Sequence, residues 1–244
     1  RAEGGAAAAR GDRRLRGPAA DLRARAPEYA EWGRRSGRCG RGPAATARWR
    51  AEVAQVEAEL ARAALTGDVA ELACGTGWWT ERLARTADRL TCVDASPETI
   101  DINRRRLSSA GLPMPRYEVA DLFEWTPAGK FDALFFSFWL SHVPADRFAP
   151  FWSTVAAALR PGGRAFCIDS LPGRTSTASN HQMPDPEGIQ ERRLNDGRSF
   201  RIVKLFRQPA ELTSELQALG WKTTIGQTPS YFVFGQAERE HQRA

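Results

Sequence analysis

The sequence predicts an α/β fold: a mostly parallel sheet with helices on both faces. Three observations carry this. An apolar run from Val69 breaks at Ala73-Cys-Gly-Thr-Gly77 and resumes from Trp78 at helical spacing, giving strand, glycine turn and helix. A second apolar strand, Arg89 to Asp94, ends in an acid nineteen residues after Gly75. A third run, Phe131-Asp-Ala-Leu-Phe-Phe-Ser-Phe138, is nearly continuous in apolar residues, as in a strand buried on both faces.

The elements follow in order. Residues 1–27 are rich in Ala, Arg, Gly and Pro, hold almost no large apolar residue, and are expected to be disordered or loosely helical. Trp49, Val53, Val56 and Leu60 recur at three and four, so 44–65 reads as an amphipathic helix. Strand 69–74 leads to helix 78–86, and strand 89–94 to helix 97–110. Ser96 supplies the N-cap of that second helix and Pro97 its first residue, and Gly111 stops it. Residues 115–120 form a third strand and 131–138 a fourth. Helix 145–159 follows, then a Pro-Gly-Gly turn into strand 164–169. The polar stretch 171–188 reads as a mobile loop. Asn195-Asp-Gly197 is a hairpin turn between two alternating runs, 189–195 and 198–206, with Ile202 and Leu205 or Phe206 inward and the arginines outward. Helix 209–219 ends at Gly220, and two antiparallel strands close the chain.

Composition narrows the function. The 244 residues suit one α/β domain with an appendage, and the formal net charge is +6. Residues 1–50 alone carry net +8, while 51–244 carry −2, so the domain with the chemistry shows no basic stripe. Cationic residues are nearly all arginine, 32 against three lysines. The four cysteines have neither metal-ligand spacing nor a disulfide pattern, and no run is apolar enough to span a membrane. A cytoplasmic protein without a metal or a membrane anchor is the expectation.

The glycine turn and the acid after the second strand suit either a dinucleotide oxidoreductase or a methyltransferase, since both place an acid on ribose hydroxyls. Gly-x-Gly-x-x-Gly would need a glycine where Thr80 stands. Glu71-Leu-Ala-Cys-Gly-Thr-Gly77, Val-Asp94, Ala-Asp-Leu122, Phe-Asp-Ala-Leu-Phe-Phe-Ser137, Leu-Arg-Pro-Gly-Gly163 and the closing strand pair resemble, in that order, the class I S-adenosylmethionine (SAM) methyltransferases. The resemblance covers about residues 45–237. Ala73 replaces the family's usual first glycine.

The resemblance implies a Rossmann-like fold with a seven-stranded sheet, an antiparallel last strand, an N-terminal helical cap and an inserted β-hairpin. It divides the chain into an N-terminal segment 1–43, a methyltransferase domain 44–237 with its insertion at 171–206, and a charged tail 238–244. It implies SAM as cofactor. Glu71, Ala73, Gly75 and Gly77 would line its methionine half, Asp94 and Ala95 its ribose, and Asp121 and Leu122 its adenine. Ser137 would lie under the sulfonium. One of two adjacent rings, Trp79, is assigned to the cofactor, core packing being the alternative. Tyr29, Trp32 and Trp49 would contribute to the cap over the site or pack. The aromatic run Phe135, Phe136, Phe138 and Trp139 would enclose sulfonium and acceptor. His142, just past the fourth strand, is the candidate base, with His181 as substitute.

The acceptor implied is a small molecule, through oxygen or nitrogen, with no nucleic acid and with the protein a monomer or homodimer. The alternatives are an RNA or protein methyltransferase gripping its substrate with the basic N-terminal segment, and a non-catalytic SAM-binding module.

Overall fold

In the computed structural model, residue 31 and residues 35–173 and 181–239 are described. Expectations for residues 1–27, Tyr29 and Trp32, and for the parts of the loop 171–188 and the tail 238–244 that fall at 174–180 and 240–244, lie outside them.

Helix α1 (Pro43–Ala63) precedes β1 (Asp68–Leu72), a single-turn α2 (Thr80–Leu83), β2 (Arg89–Asp94), α3 (Pro97–Ser109), β3 (Arg116–Val119) and β4 (Phe131–Ser137). A 3-10 turn (Leu140–His142) leads into α4 (Ala145–Ala158) and β5 (Leu159–Ser170). Then come β6 (Ile189–Arg193), β7 (Ser199–Val203), α5 (Pro209–Ala218), β8 (Trp221–Gln227) and β9 (Phe232–Arg239). The helix expected over 78–86 shrinks to one turn, because beyond Ala84 the bonds tighten to the i−3 pattern, Arg85 N–H donating to Arg82 O and Thr86 N–H to Leu83 O. The Ser96 cap is as expected, its side chain accepting from Thr99 N–H.

Seven strands form one sheet in the order β3-β2-β1-β4-β5-β9-β8, and β6-β7 form a separate hairpin. β9 runs antiparallel to both β5 and β8, and the pairs among β1 to β5 are all parallel. Strand order reverses between β2 and β4 on either side of β1. A cleft opens at the carboxyl ends of strands on that side of such a sheet.

β4 shows why the sheet is central. Ala133 and Phe135 join one core cluster and Leu134 and Phe136 the other, as period-2 alternation requires, and both phenylalanines are fully buried. α1, α2 and α3 contribute to the first face, α4 and α5 to the second. Trp49 of α1 packs edge-on against Trp78 and Phe232, so it serves the cap by packing. The cap is fastened by Glu52, a buried α1 carboxylate that accepts from Thr228 Oγ1, from Ser230 N–H at 3.0 Å and from Tyr231 N–H at 2.9 Å. No helix among the described residues is long and apolar enough to cross a membrane.

The hairpin turns Ile202 inward and Arg193, Arg198 and Arg201 outward as expected, and departs from expectation at Arg192. Gln190, Leu194 and Ile202 face the body and are buried, and strand parity puts Arg192 on the same face. Arg192 is therefore inward rather than solvent-facing, and Lys204 and Arg207 on the segment that follows are buried as well.

Candidate active site

The carboxyl edge of β1, β2, β3 and β4 gathers most of the residues singled out above. After β1 the chain makes three left-handed residues in five: Ala73 at φ 54°, Gly75 at φ 51° and Gly77 at φ 86°. A Cβ built on Gly75 meets nothing within 4 Å, so the loop leaves open room on that side. A Cβ on Gly77 would lie 2.7 Å from Oδ1 of Asn103, so glycine is required there by packing. Ala73 tolerates the same hand at a cost of about 1–2 kcal/mol.

Asp94, at the end of β2, ties this loop down. Gly75 N–H donates to its Oδ2 at 2.9 Å, while Ser96 N–H and Thr99 Oγ1 donate to Oδ1 at 2.9 and 3.0 Å. Burial raises its pKa against the effect of these bonds. Ala95, beside it, is half-buried.

Glu71 and Trp79 sit behind the loop's surface, not on it. Glu71 is 1% exposed; Thr80 Oγ1 donates to its Oε2 at 2.5 Å, and Asn103 Nδ2 donates to Thr80 Oγ1 at 2.9 Å. Tyr117 closes the chain, donating to Asn103 Oδ1 at 3.0 Å. Burial pushes the Glu71 carboxyl up to about 8. The Trp79 ring packs against Phe135 at 6.0 Å, and its Nε1, without exposed surface, meets no acceptor among the described residues. Both support the loop from behind in this structure, with Glu71 1% and Trp79 4% exposed. Thr80, Thr99 and Asn103, which complete that support, were not foreseen; polar residues inside short helices carry no signal of a buried partner.

Asp121 is exposed and its Oδ1 accepts from Phe123 N–H at 2.9 Å, capping the turn after β3, and Leu122 beside it is buried. Ser137 is half-buried at the end of β4. The next residue, Phe138, is held at φ 54° while its N–H donates to Ile168 O at 2.8 Å. A bulky residue in that region marks a backbone constrained by its surroundings. Of the aromatic run, Phe135, Phe136 and Trp139 belong to the core, so only Phe138 is left at the edge.

His142 stands on the 3-10 turn just beyond. Its Nδ1 lies 2.7 Å from Val203 O. A carbonyl only accepts, so in the neutral ring Nδ1 carries the proton and the lone pair falls to Nε2. His181 bonds instead to Arg193 O at 3.3 Å on the hairpin.

A family profile described as a methyltransferase domain matches residues 69–163. The structure described as the DhpI–SAH complex is 38% identical, with 91% of this chain aligned over 95% of that one at a TM-score of 0.72. A second, described as the DhpI–SAM–HEP complex, is also 38% identical, over 90% and 94% of the two chains, at 0.71. The ubiquinone biosynthesis O-methyltransferase of Xanthomonas axonopodis pv. citri (strain 306) is 30% identical over 153 residues, 62% of this chain and 61% of that protein. Its counterpart in Xanthomonas campestris pv. campestris (strain B100) is 36% identical over 165 residues, 64% and 66% of the two. The chain thus spans about three fifths of the length of the first of these curated relatives.

Proposed function

This chain belongs to the class I S-adenosylmethionine-dependent methyltransferases, and on that premise we propose that it methylates an oxygen of a small-molecule acceptor with His142 as the base. The observation that carries the proposal is the 2.7 Å contact between His142 Nδ1 and Val203 O, which leaves Nε2 as the basic nitrogen at the carboxyl edge of the sheet. Oxygen is favoured because the curated relatives are named O-methyltransferases.

The residues present fit the cofactor. The open space beside Gly75 is room that any side chain would fill. Ala73, Gly75 and Gly77 would hold its methionine half, Asp94 and Ala95 its ribose, Asp121 and Leu122 its adenine, with Ser137 near the sulfonium. When bound, SAM supplies an electrophilic methyl on a good leaving group. What remains for the chain is alignment, exclusion of water and removal of the acceptor's proton. His142 Nε2 takes that proton as the oxygen becomes nucleophilic. Phe138 would give apolar cover, and the hairpin 189–206 would cover the acceptor.

A small acceptor, rather than a nucleic acid, is supported by the net charge of −2 over residues 51–244. The test is to incubate the protein with methyl-labelled SAM and fractionated metabolite extract. Label in a small-molecule fraction is expected. Label found solely in added RNA or protein would overturn the reading.

A further inference from the structure

The segment leaving β7 runs antiparallel to the 3-10 turn, and every residue of that turn is bonded to it. Arg207 Nη1 donates to Leu140 O at 2.7 Å. Leu205 N–H donates to Ser141 O, and Lys204 Nζ to Ser141 Oγ, both at 2.7 Å. His142 Nδ1 meets Val203 O. The hairpin thus reaches back some sixty residues to grip the loop that carries the candidate base.

Lys204 is the hinge-pin of this docking. Its side chain is buried, and its Nζ also lies 3.7 Å from Oδ1 of Asp169 near the end of β5. Asp169 in turn accepts from Ser141 N–H at 2.8 Å and from Ser170 N–H at 2.7 Å. A buried ammonium cannot leave such a carboxylate without stranding a charge, so the pair fixes Lys204 firmly. The peptide plane joining Val203 to Lys204 is then held on both sides. Its N–H donates to Gly188 O at 2.7 Å and its C=O accepts from His142. Because that unit is planar, a rotation that releases one bond releases the other.

We propose that Lys204 is a positioning residue: by seating the hairpin on Ser141 and Asp169 it holds the Val203 carbonyl on His142 Nδ1 and so reserves Nε2 for proton acceptance. The proposal rests on the reading of His142 as base. It makes base competence a property of the docked hairpin rather than of the β4 loop alone.

The chain has three histidines, so its imidazole nitrogen spectrum is small enough to read. The full chain, labelled with 15N-histidine and saturated with the demethylated product of SAM, is compared as wild type and as Lys204→Met. His142 is assigned by the signal missing in His142→Asn. The wild type is expected to show His142 mainly as the Nδ1–H tautomer. Lys204→Met is expected to lower the ratio of Nδ1–H to Nε2–H by about fivefold, the bias one neutral hydrogen bond supplies, with product affinity by calorimetry unchanged. Ser141→Ala, a milder change that removes the Lys204 acceptor, is read in the same way should Lys204→Met fail to fold. A wild-type ratio in the folded variant, or an Nε2–H tautomer in the wild type, overturns the proposal. Undiminished turnover in His142→Asn with the tautomer shift intact would instead sink the base reading alone.

Discussion

The Thr80 hydroxyl sits 2.5 Å from Oε2 of Glu71, beneath the glycine loop and sealed from solvent. Burial dominates this carboxyl, the Asp94 charge adds to the rise, and bonds from Thr80 and Cys92 only partly oppose it, leaving its pKa at about 8 against 4.5 unfolded. A raised acid stabilises the fold fully below the unfolded value and loses that contribution as pH climbs through the folded one. Stability should therefore decline between pH 4.5 and 8 by on the order of 2–4 kcal/mol. Glu71→Gln keeps an acceptor for Thr80 and removes the titration. Its melting temperature should fall much less between pH 6 and 8.5 than that of the wild type. Parallel curves for the two proteins would show that Glu71 is not the titrating group.

Asp94 ties down the glycine loop and is proposed to hold the ribose, and one substitution tests both roles. Asp94→Ala leaves the Gly75 and Ser96 N–H groups without their acceptor, while Thr99 Oγ1 keeps Ser96 O at 2.9 Å. SAM affinity should drop by about 2–4 kcal/mol through lost charge-assisted bonds. Thermal stability should drop as well, by about 1–3 kcal/mol, since the Ser96 donor is buried and the Gly75 donor partly so. Calorimetry and melting measured on the same preparation check this; normal affinity with lowered stability would confine Asp94 to a structural role.

That double role marks the limit of what the sequence tells. The spacing from Gly75 to Asp94 was legible because a strand, a turn and a second parallel strand fix it locally. The β4 core was legible because seven residues must alternate between two buried faces. The fastening of the β4 loop by Lys204 and Asp169 was not. Those residues lie 63 and 28 positions from Ser141, and nothing in the local pattern of either strand points across that gap. The inward Ile202 was read correctly, but the inward Arg192 was missed for a related reason. Arginine reads as solvent-facing until the parity of Gln190 and Leu194 fixes Arg192 between them.

Ala73 tests how much strain the glycine loop carries. At φ 54° an L-residue costs about 1–2 kcal/mol, and glycine's extra chain entropy returns about 0.5–1 of it. Ala73→Gly should thus be neutral or stabilising by up to about 1 kcal/mol, with SAM affinity preserved. A clearly lower melting temperature would show that the Ala73 methyl, which packs against the core, outweighs its backbone.

Glu52 should be the main fastening of the helical cap. It gathers Thr228, Ser230 and Tyr231 at the turn between β8 and β9, with 4% of its surface exposed. Glu52→Ala strands several buried donors and is expected to cost about 2–4 kcal/mol. Amide exchange along α1 should speed up selectively. Unchanged protection of α1 would mean that Trp49 and its apolar neighbours hold the cap without it.

His142→Asn separates chemistry from docking. The asparagine amide can still donate to Val203 O, so the hairpin should remain seated, and the Nε2 lone pair alone is lost. SAM affinity should stay as in the wild type, since no expected cofactor contact changes. Turnover, once an acceptor has been found by labelled-methyl screening, should fall by about 10²–10⁴, the usual contribution of a general base. The acidic limb of the kcat profile should flatten, because the protonation that switches off the base no longer exists. Addition of imidazole should restore part of the rate if the missing element is only a proton acceptor. A fall of less than about fivefold would mean that the acceptor loses its proton without help from His142, and that alignment and desolvation carry the reaction.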